Sequence, residues 1–302
     1  MPLPEDKPVI LVTGANGQLG NELRRLSLIH PSYTFLFVSR NELPIEEENA
    51  IRNFFKDNTI QYCINCAAYT AVDKAESEKE KAFAVNADAP ALLASVCKEY
   101  DSKFIHISTD YVYDGSAQQP LKETDAVGPI NTYGASKLRG EQLVMRNNPS
   151  AIVIRTSWVY SVYGNNFVKT MLRLFREKDQ LNVVNDQVGC PTYAADLAVI
   201  IMKIIDETEH KNSFSGIINF SNAGTTNWYD FAIAIKEYVH SSCNISPVPS
   251  SQYPTPAKRP GYSVLDTTKI KSLLKTDIPF WKDSLHQCLK LFFELNPSLI
   301  RS

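Results

Sequence analysis

Neither sign of charge is in excess: 31 Lys and Arg face 33 Asp and Glu, leaving a net charge of -2. No electrostatic pull toward nucleic acid or a membrane surface follows, and neither is expected as a partner. No apolar run reaches transmembrane length. The opening MPLPEDKP lacks the basic-then-apolar order of a secretory signal, so none is expected. The six cysteines are scattered, and several sit in apolar segments. They read as reduced thiols of a cytoplasmic protein. Cys63 and Cys66 form a CxxC, but no second ligand pair follows at zinc spacing, so no metal is expected. Glycine is scarce as well, 12 in 302 residues, which makes a glycine cluster informative.

Apolar material is present at 44%, enough for a full core in one large domain or two unequal ones. The first half alternates short apolar runs with amphipathic stretches. Strands are expected at 9–12, 33–38, 63–66, 103–108 and 151–156. Helices are expected at 18–30, 46–56, 74–100 (interrupted near Asn86) and 133–146. Such alternation predicts an α/β fold with a doubly wound, Rossmann-like parallel sheet. Residues 1–160 would form the dinucleotide-binding domain, with about 193–222 returning to it. Residues 161–302 would be a smaller, mainly substrate-binding part. Five prolines between Ser246 and Gly261 exclude a helix there and predict an ordered extended loop, flanked by helices at 228–240 and 281–294.

Directly after the first strand stand Gly14, Gly17 and Gly20, spaced GxxGxxG and opening a helix. Gly14 permits the tight turn, Gly17 a close pyrophosphate, and Gly20 close helix–strand packing. Free amides at the helix start, through Asn16, Gln18 and Leu19, suit the anion. At the end of the second strand an NAD enzyme usually places Asp or Glu. Here the strand ends in Ser39 and Arg40, with Glu42 beyond, so a 2'-phosphate and NADPH are favoured, with NADH as the alternative. The blander reading of Arg40 is a solvated turn residue.

Tyr133 and Lys137 form YxxxK, one turn apart on one helix face. A lysine ammonium there would lower the phenol pKa from about 10 and make it a proton donor to a carbonyl. With 14 tyrosines the spacing alone is weak, but its place beyond the fourth strand is where open α/β sheets bind ligands. Ser108 and Thr109 end that strand, where a hydroxyl can meet the same carbonyl. His106 reads as a buried strand residue, not a catalyst.

In this order the motifs resemble the extended short-chain dehydrogenase/reductases. The stretches Asn65–Glu76, Ser108–Tyr113, Arg155–Tyr160, Gly164–Phe167, Asp186–Thr192 and Tyr253–Pro260 narrow it to a resemblance to the dTDP-4-dehydrorhamnose reductase family, over nearly the whole chain. The resemblance implies reduction of a sugar C4 ketone to give dTDP-L-rhamnose. Tyr133 would donate the proton, Lys137 would hold the ribose, and Thr109 and Asp110 would meet the sugar. Ala67, Ala68 and Tyr69 would line the cofactor cleft. Trp158 would pack on the sugar, with Asn165, Asn166, Gln187 and Arg259 on the sugar-nucleotide side.

Two departures stand out. The family's common aspartates are missing from Glu42–Glu46, which bears on cofactor choice. Some family members are dimers bridged by metal-bound carboxylates. Glu22 matches one such position but no others match, so no metal is expected, while a homodimer stays compatible. The competing function is a non-catalytic NADP-binding regulatory subunit resembling that of methionine adenosyltransferase. Another sugar-nucleotide reductase or epimerase is the third reading. Tyr111 stands where a dehydratase would need a glutamate.

Overall fold

The structure is a computed structural model, and it describes residues 7–210 and 214–299. The first lobe is built on β1 (Val9–Thr13), β2 (Thr34–Val38), β3 (Tyr62–Asn65), β4 (Lys103–Thr109) and β5 (Ile152–Thr156). Between and after these come β6 (Val159–Tyr160), β7 (Gln180–Val184), β8 (Val188–Gly189), β9 (Thr192–Tyr193) and β10 (Gly216–Asn219). The chain's last strands are β11 (Thr226–Asn227) and β12 (Asn244–Val248). The central sheet has six strands in the order β10-β5-β4-β3-β1-β2, and every pairing within it is parallel. The strand order reverses direction between β1 and β3, which opens the crevice where such sheets bind ligands.

The alternation of side chains explains the layers. Ile10 and Val12 face one apolar cluster and Leu11 faces the other, because successive strand residues point to opposite faces. One face is covered by α1 (Gln18–Ser27), α8 (Ala194–His210) and α10 (Thr268–Leu274); Leu197, Ile201, Ile204 and Ile205 of α8 form the buried stripe. The other face is covered by α2 (Glu48–Asp57), α5 (Ala89–Glu99) and α6 (Thr132–Asn147). Cys63 lies in one cluster and Cys66 packs against the other, as expected of strand positions three apart. A third cluster unites α7 (Phe167–Glu177), α9 (Trp228–Val239) and α11 (Trp281–Leu295) around Phe231, Trp281 and Leu285. Among the described residues no helix is long and apolar enough to cross a membrane.

Two expectations need correction. The helix expected over 74–100 is interrupted near Asn86, as expected, but is broken a second time between Ala75 and Lys79, so that it becomes three helices. They are α3 (Val72–Ala75), α4 (Lys79–Phe83) and, after a π-helical turn at Ala84–Asp88, α5. The cause at Asn86 is polar. Asn86 sends its amide to the backbone of Tyr69 at both ends (2.8 and 3.0 Å) and to Ser136 Oγ (3.0 Å). Gly140 of α6 lies so close to the Asn86 carbonyl that a Cβ would stand 2.1 Å from it. The widened turn is the shape those contacts require. The proline segment is also not all loop: Pro247 lies in β12, which pairs with β7 in a separate two-stranded sheet. Proline is tolerated because this strand is an edge.

Candidate active site

The glycine turn is shaped by close approach. Gly14 has φ +65°, and a Cβ there would stand 2.5 Å from the Ala67 nitrogen. A Cβ on Gly20 would meet the Gly14 oxygen at 2.6 Å. Helix α1 begins with no side-chain cap, so its first amides are free for an anion. The turn thus fits a dinucleotide pyrophosphate. Asn16 is exposed beside it, while Leu19 is buried in the core and offers only backbone. Gln18 is committed elsewhere: it donates to the Val159 carbonyl (3.3 Å) and accepts from Asn166 (2.9 Å), tying the turn to β6 and to the cap of α7.

At the tip of β2, Arg40 is exposed and pairs with Glu46 at 2.9 Å. The tip does hold an acid, contrary to expectation. Glu42 folds back so that its carboxylate accepts the Ser39 N–H at 2.7 Å, and Ser39 holds that carboxyl below its usual range. On the opposite wall, Ala67 donates its N–H to Asn65 Oδ1 (3.2 Å), and the Tyr69 hydroxyl donates to Glu78 (3.1 Å). Ala68 is exposed between them.

Thr109, Tyr133 and Lys137 converge at the carboxyl end of β4. Asn131 caps α6 by accepting the Gly134 N–H at 2.8 Å, which places Tyr133 in the first turn. The Tyr133 ring meets Tyr111 edge-on at 5.5 Å. Burial pushes the Tyr133 phenol up to about 12; the neighbouring Thr109 hydroxyl opposes this and the Asp110 charge adds to it. The phenol is thus raised, not lowered as expected. The lysine ammonium points away: Lys137 Nζ donates to the Ile107 carbonyl at 2.7 Å and lies 3.3 Å from His106 Nε2. Burial pulls Lys137 down to about 8, against the pull of Glu141.

The substrate-side residues divide. Thr109 donates its hydroxyl to Asp110 Oδ1 at 3.0 Å and accepts the Tyr111 N–H at 3.3 Å. Asp110 is only 1% exposed, and its carboxylate stands behind Thr109. Burial pushes it up to about 6, with Ser263 and Thr109 opposing. Trp158 holds φ +47° and stacks on Trp228 at 3.7 Å, with Gly189 packed against it. A strained backbone at a cleft is where such conformations gather. Gln187 accepts from Trp228 Nε1 (3.2 Å) and donates to Ser250 (2.9 Å), so it braces that stack. Asn166 caps α7 through the Lys169 N–H (3.0 Å), while Asn165 is exposed. Arg259 is engaged by Asp73 on α3. Asn166 and Gln187 thus spend their polar groups on the scaffold.

Glu22 is buried in α1. Its carboxylate already accepts from Ser161 (2.7 Å) and from Arg25 (3.1 Å). Among the described residues there is no group of three or more His, Cys, Asp or Glu placed to hold a metal ion.

Several supporting residues are assigned no role from the sequence: Asn65, Asn86, Ser136 and the Glu141–Arg155 pair. The one available signal was a polar residue inside a strand that reads as buried, as with Asn65, His106 and Arg155. Buried polar groups need partners.

A parallel sheet with an uncapped glycine turn beside a Thr–Tyr–Lys cluster defines a nicotinamide-dependent reductase of the extended short-chain dehydrogenase/reductase class. Residues 8–293 match the family described as RmlD substrate binding domain, and the chain belongs to that family. It is 41% identical to the dTDP-4-dehydrorhamnose reductase of Aggregatibacter actinomycetemcomitans, over 91% of this chain and 96% of that protein. The Salmonella typhimurium dTDP-4-dehydrorhamnose reductase is 37% identical over 94% and 98%. A solved dTDP-4-dehydrorhamnose reductase from Bacillus anthracis, in complex with NADP, superposes with a TM-score of 0.90 at 36% identity, covering 95% of this chain and all (100%) of that one. The Clostridium acetobutylicum structure gives 0.88 at 40% identity, over 94% and 99%.

Proposed function

We propose that this chain reduces the C4 ketone of dTDP-4-dehydro-L-rhamnose to dTDP-L-rhamnose with NADPH, a step toward cell-surface polysaccharide precursors. The observation that carries the reading is the convergence of Thr109, Tyr133 and Lys137 at the end of β4, across the crevice from the Gly14 turn. The relatives named dTDP-4-dehydrorhamnose reductase, and the solved relative holding NADP, support it.

The bound nicotinamide supplies hydride. The rest of the work falls to the chain's own side chains. Tyr133 donates its proton to the oxygen of the carbonyl, a general-acid step worth about 10²–10⁴-fold. Thr109 holds that oxygen beside the phenol, oriented by Asp110 behind it. Lys137 is placed to reach a ribose from α6. Trp158, fixed by Trp228, offers an apolar wall to the sugar. The lobe of α7, α9 and α11 is the substrate side, and Arg259 is the cation for its diphosphate.

On the same reading the enzyme is cytoplasmic, in keeping with six free thiols, and acts as a homodimer, for which sedimentation velocity is the test. The function is tested by following NADPH oxidation with a panel of 4-keto sugar nucleotides. Turnover of the dTDP-linked 6-deoxy-4-ketose is expected, and a protein that binds NADPH but turns over none of the panel would be a binding module.

A further inference from the structure

Among the buried polar groups outside the Thr–Tyr–Lys cluster, one chain of contacts leads straight into it. Asn65 Oδ1 accepts the Ala67 backbone N–H at 3.2 Å and the Thr13 hydroxyl at 2.7 Å. A backbone N–H can only donate, so this contact fixes which end of the Asn65 amide is oxygen. The Asn65 NH₂ must then be the group facing His106 Nδ1, at 3.1 Å. An amide NH₂ only donates, so Nδ1 must be the unprotonated, accepting nitrogen. In the neutral ring the proton then sits on Nε2. That nitrogen faces Lys137 Nζ at 3.3 Å. His106 and Asn65 are fully buried and Lys137 is 1% exposed, so water does not arbitrate among them.

An N–H aimed at an ammonium sets two donors against each other. The same N–H aimed at a free amine finds a lone pair. We infer that His106, locked as the Nε2–H tautomer by Asn65, is a positioning residue that favours the free amine of Lys137 and makes its ammonium a stronger acid. Nζ still has a hydrogen for the Ile107 carbonyl in either state.

Other groups around Lys137 do not undo this. Glu141, one turn further along α6, favours the ammonium, but its carboxylate is engaged by Arg155 from β5 and by Ser108 from β4. Asp110, at the end of β4, is turned to Thr109. Tyr133 precedes Lys137 by one turn on α6. His106 itself is kept neutral, its pKa pushed well down by burial and by Lys137. The lowered pKa of Lys137 agrees with the geometry.

The consequence rests on the reductase reading. When the Tyr133 O–H bond breaks and its proton goes to the substrate oxygen, a phenolate is left. To return a proton to that phenolate the Lys137 ammonium must let go of the Ile107 carbonyl and turn toward the cleft, becoming an amine that takes a proton back from solvent there. A more acidic Lys137 hands its proton over more readily.

Nitrogen-15 spectra of histidine-labelled wild type are expected to show one neutral Nε2–H ring, absent in His106→Phe, across the pH range in which the protein stays folded. An Nδ1–H tautomer there would overturn the inference. Asn65→Asp replaces the donor facing Nδ1 with an acceptor and should reverse the tautomer. Carbon-13 titration of labelled lysine, assigned with Lys137→Arg, should then show Lys137 titrating about one pH unit higher, with the alkaline limb of kcat moving alongside. Asn65→Asp and His106→Phe titrations that both match wild type would also sink it. If neither variant folds, the wild-type tautomer alone decides. Absence of turnover by wild type would remove the reductase reading while leaving the titrations to judge Lys137.

Discussion

Arg259 holds Asp73 with two hydrogen bonds, Nη1 to Oδ1 at 3.0 Å and Nη2 to Oδ2 at 2.8 Å. Asp73 belongs to α3 in the first lobe, and Arg259 to the proline-rich segment beyond β12. The pair therefore ties α3 to the proline-rich segment. The Ala257 N–H adds a third contact to Asp73 at 3.1 Å, and Asn131 donates to the Lys258 carbonyl at 2.8 Å. The Asp73 carboxyl is held below its usual range, first by the Arg259 hydrogen bond.

The bridge yields the first prediction. If Arg259 serves the diphosphate, Asp73 competes with the ligand for the same guanidinium fork. Arg259→Ala should weaken dTDP binding about ten- to a hundredfold, while Asp73→Asn should bind dTDP at least as tightly as wild type. NADPH affinity should barely change in either. Calorimetry with dTDP decides between this and a simple latch, for which both variants would lose affinity alike and the double variant would lose no more.

Tyr133→Phe keeps the ring that meets Tyr111 and removes the proton donor. Turnover should fall by about 10²–10⁴-fold with NADPH binding retained. Because burial holds the phenol near 12 and the step needs it protonated, wild-type kcat should show no alkaline limb from Tyr133 itself until the pH approaches 12. Near-normal kcat for the phenylalanine variant would remove the mechanism.

Two opposite charges at the tip of β2 test the proposed cofactor choice. Arg40 can meet a 2'-phosphate only by sharing itself with Glu46, and Glu42 stands where it would repel one. Arg40→Ala should raise the KM for NADPH by roughly tenfold and leave NADH little changed. Glu42→Gln keeps an acceptor for Ser39 without the charge, and should move preference further toward NADPH. Steady-state kinetics with both cofactors measure the ratio. Equal loss of both in Arg40→Ala would assign Arg40 to the fold.

The fold was legible because its signals are local and redundant. β1 is a continuous apolar run followed by glycines at fixed spacing, and the strands after it are short apolar-rich runs separated by amphipathic helices. Thr109, Tyr133 and Lys137 were legible because their spacing and order carry the chemistry. Partners fixed only by tertiary packing were not. Nothing near Arg259 in sequence announces Asp73, 186 positions away. Glu42 looked remote from the β2 tip because a turn, not the strand, returns it to Ser39. The interruption near Asn86 shows in the sequence but its cause does not, because Asn86 bonds Tyr69 and Ser136, neither of them its helical neighbour.

The seam joining β4, β5 and α6 carries the last prediction. Glu141 and Arg155 are 2% and 3% exposed in their side chains and meet at 2.7 Å. Glu141 Oε1 accepts from Ser108 and from Arg155 Nε (3.0 Å), and Oε2 accepts from Nη2. Arg155 Nη1 donates to the Tyr113 hydroxyl at 2.8 Å, which donates onward to the Lys122 carbonyl at 2.9 Å. Every strong group in the network is satisfied, so removing one member leaves a buried charge alone. Glu141→Ala should lower the unfolding free energy by about 3–5 kcal/mol, read as a lower urea midpoint at unchanged slope. Replacing both partners with apolar residues of similar size, Glu141→Leu with Arg155→Met, should cost far less, since no uncompensated charge remains. A single variant no worse than the double would mean that the guanidinium finds another partner, and that the pair is not what holds Ser108, and with it the end of β4, against α6.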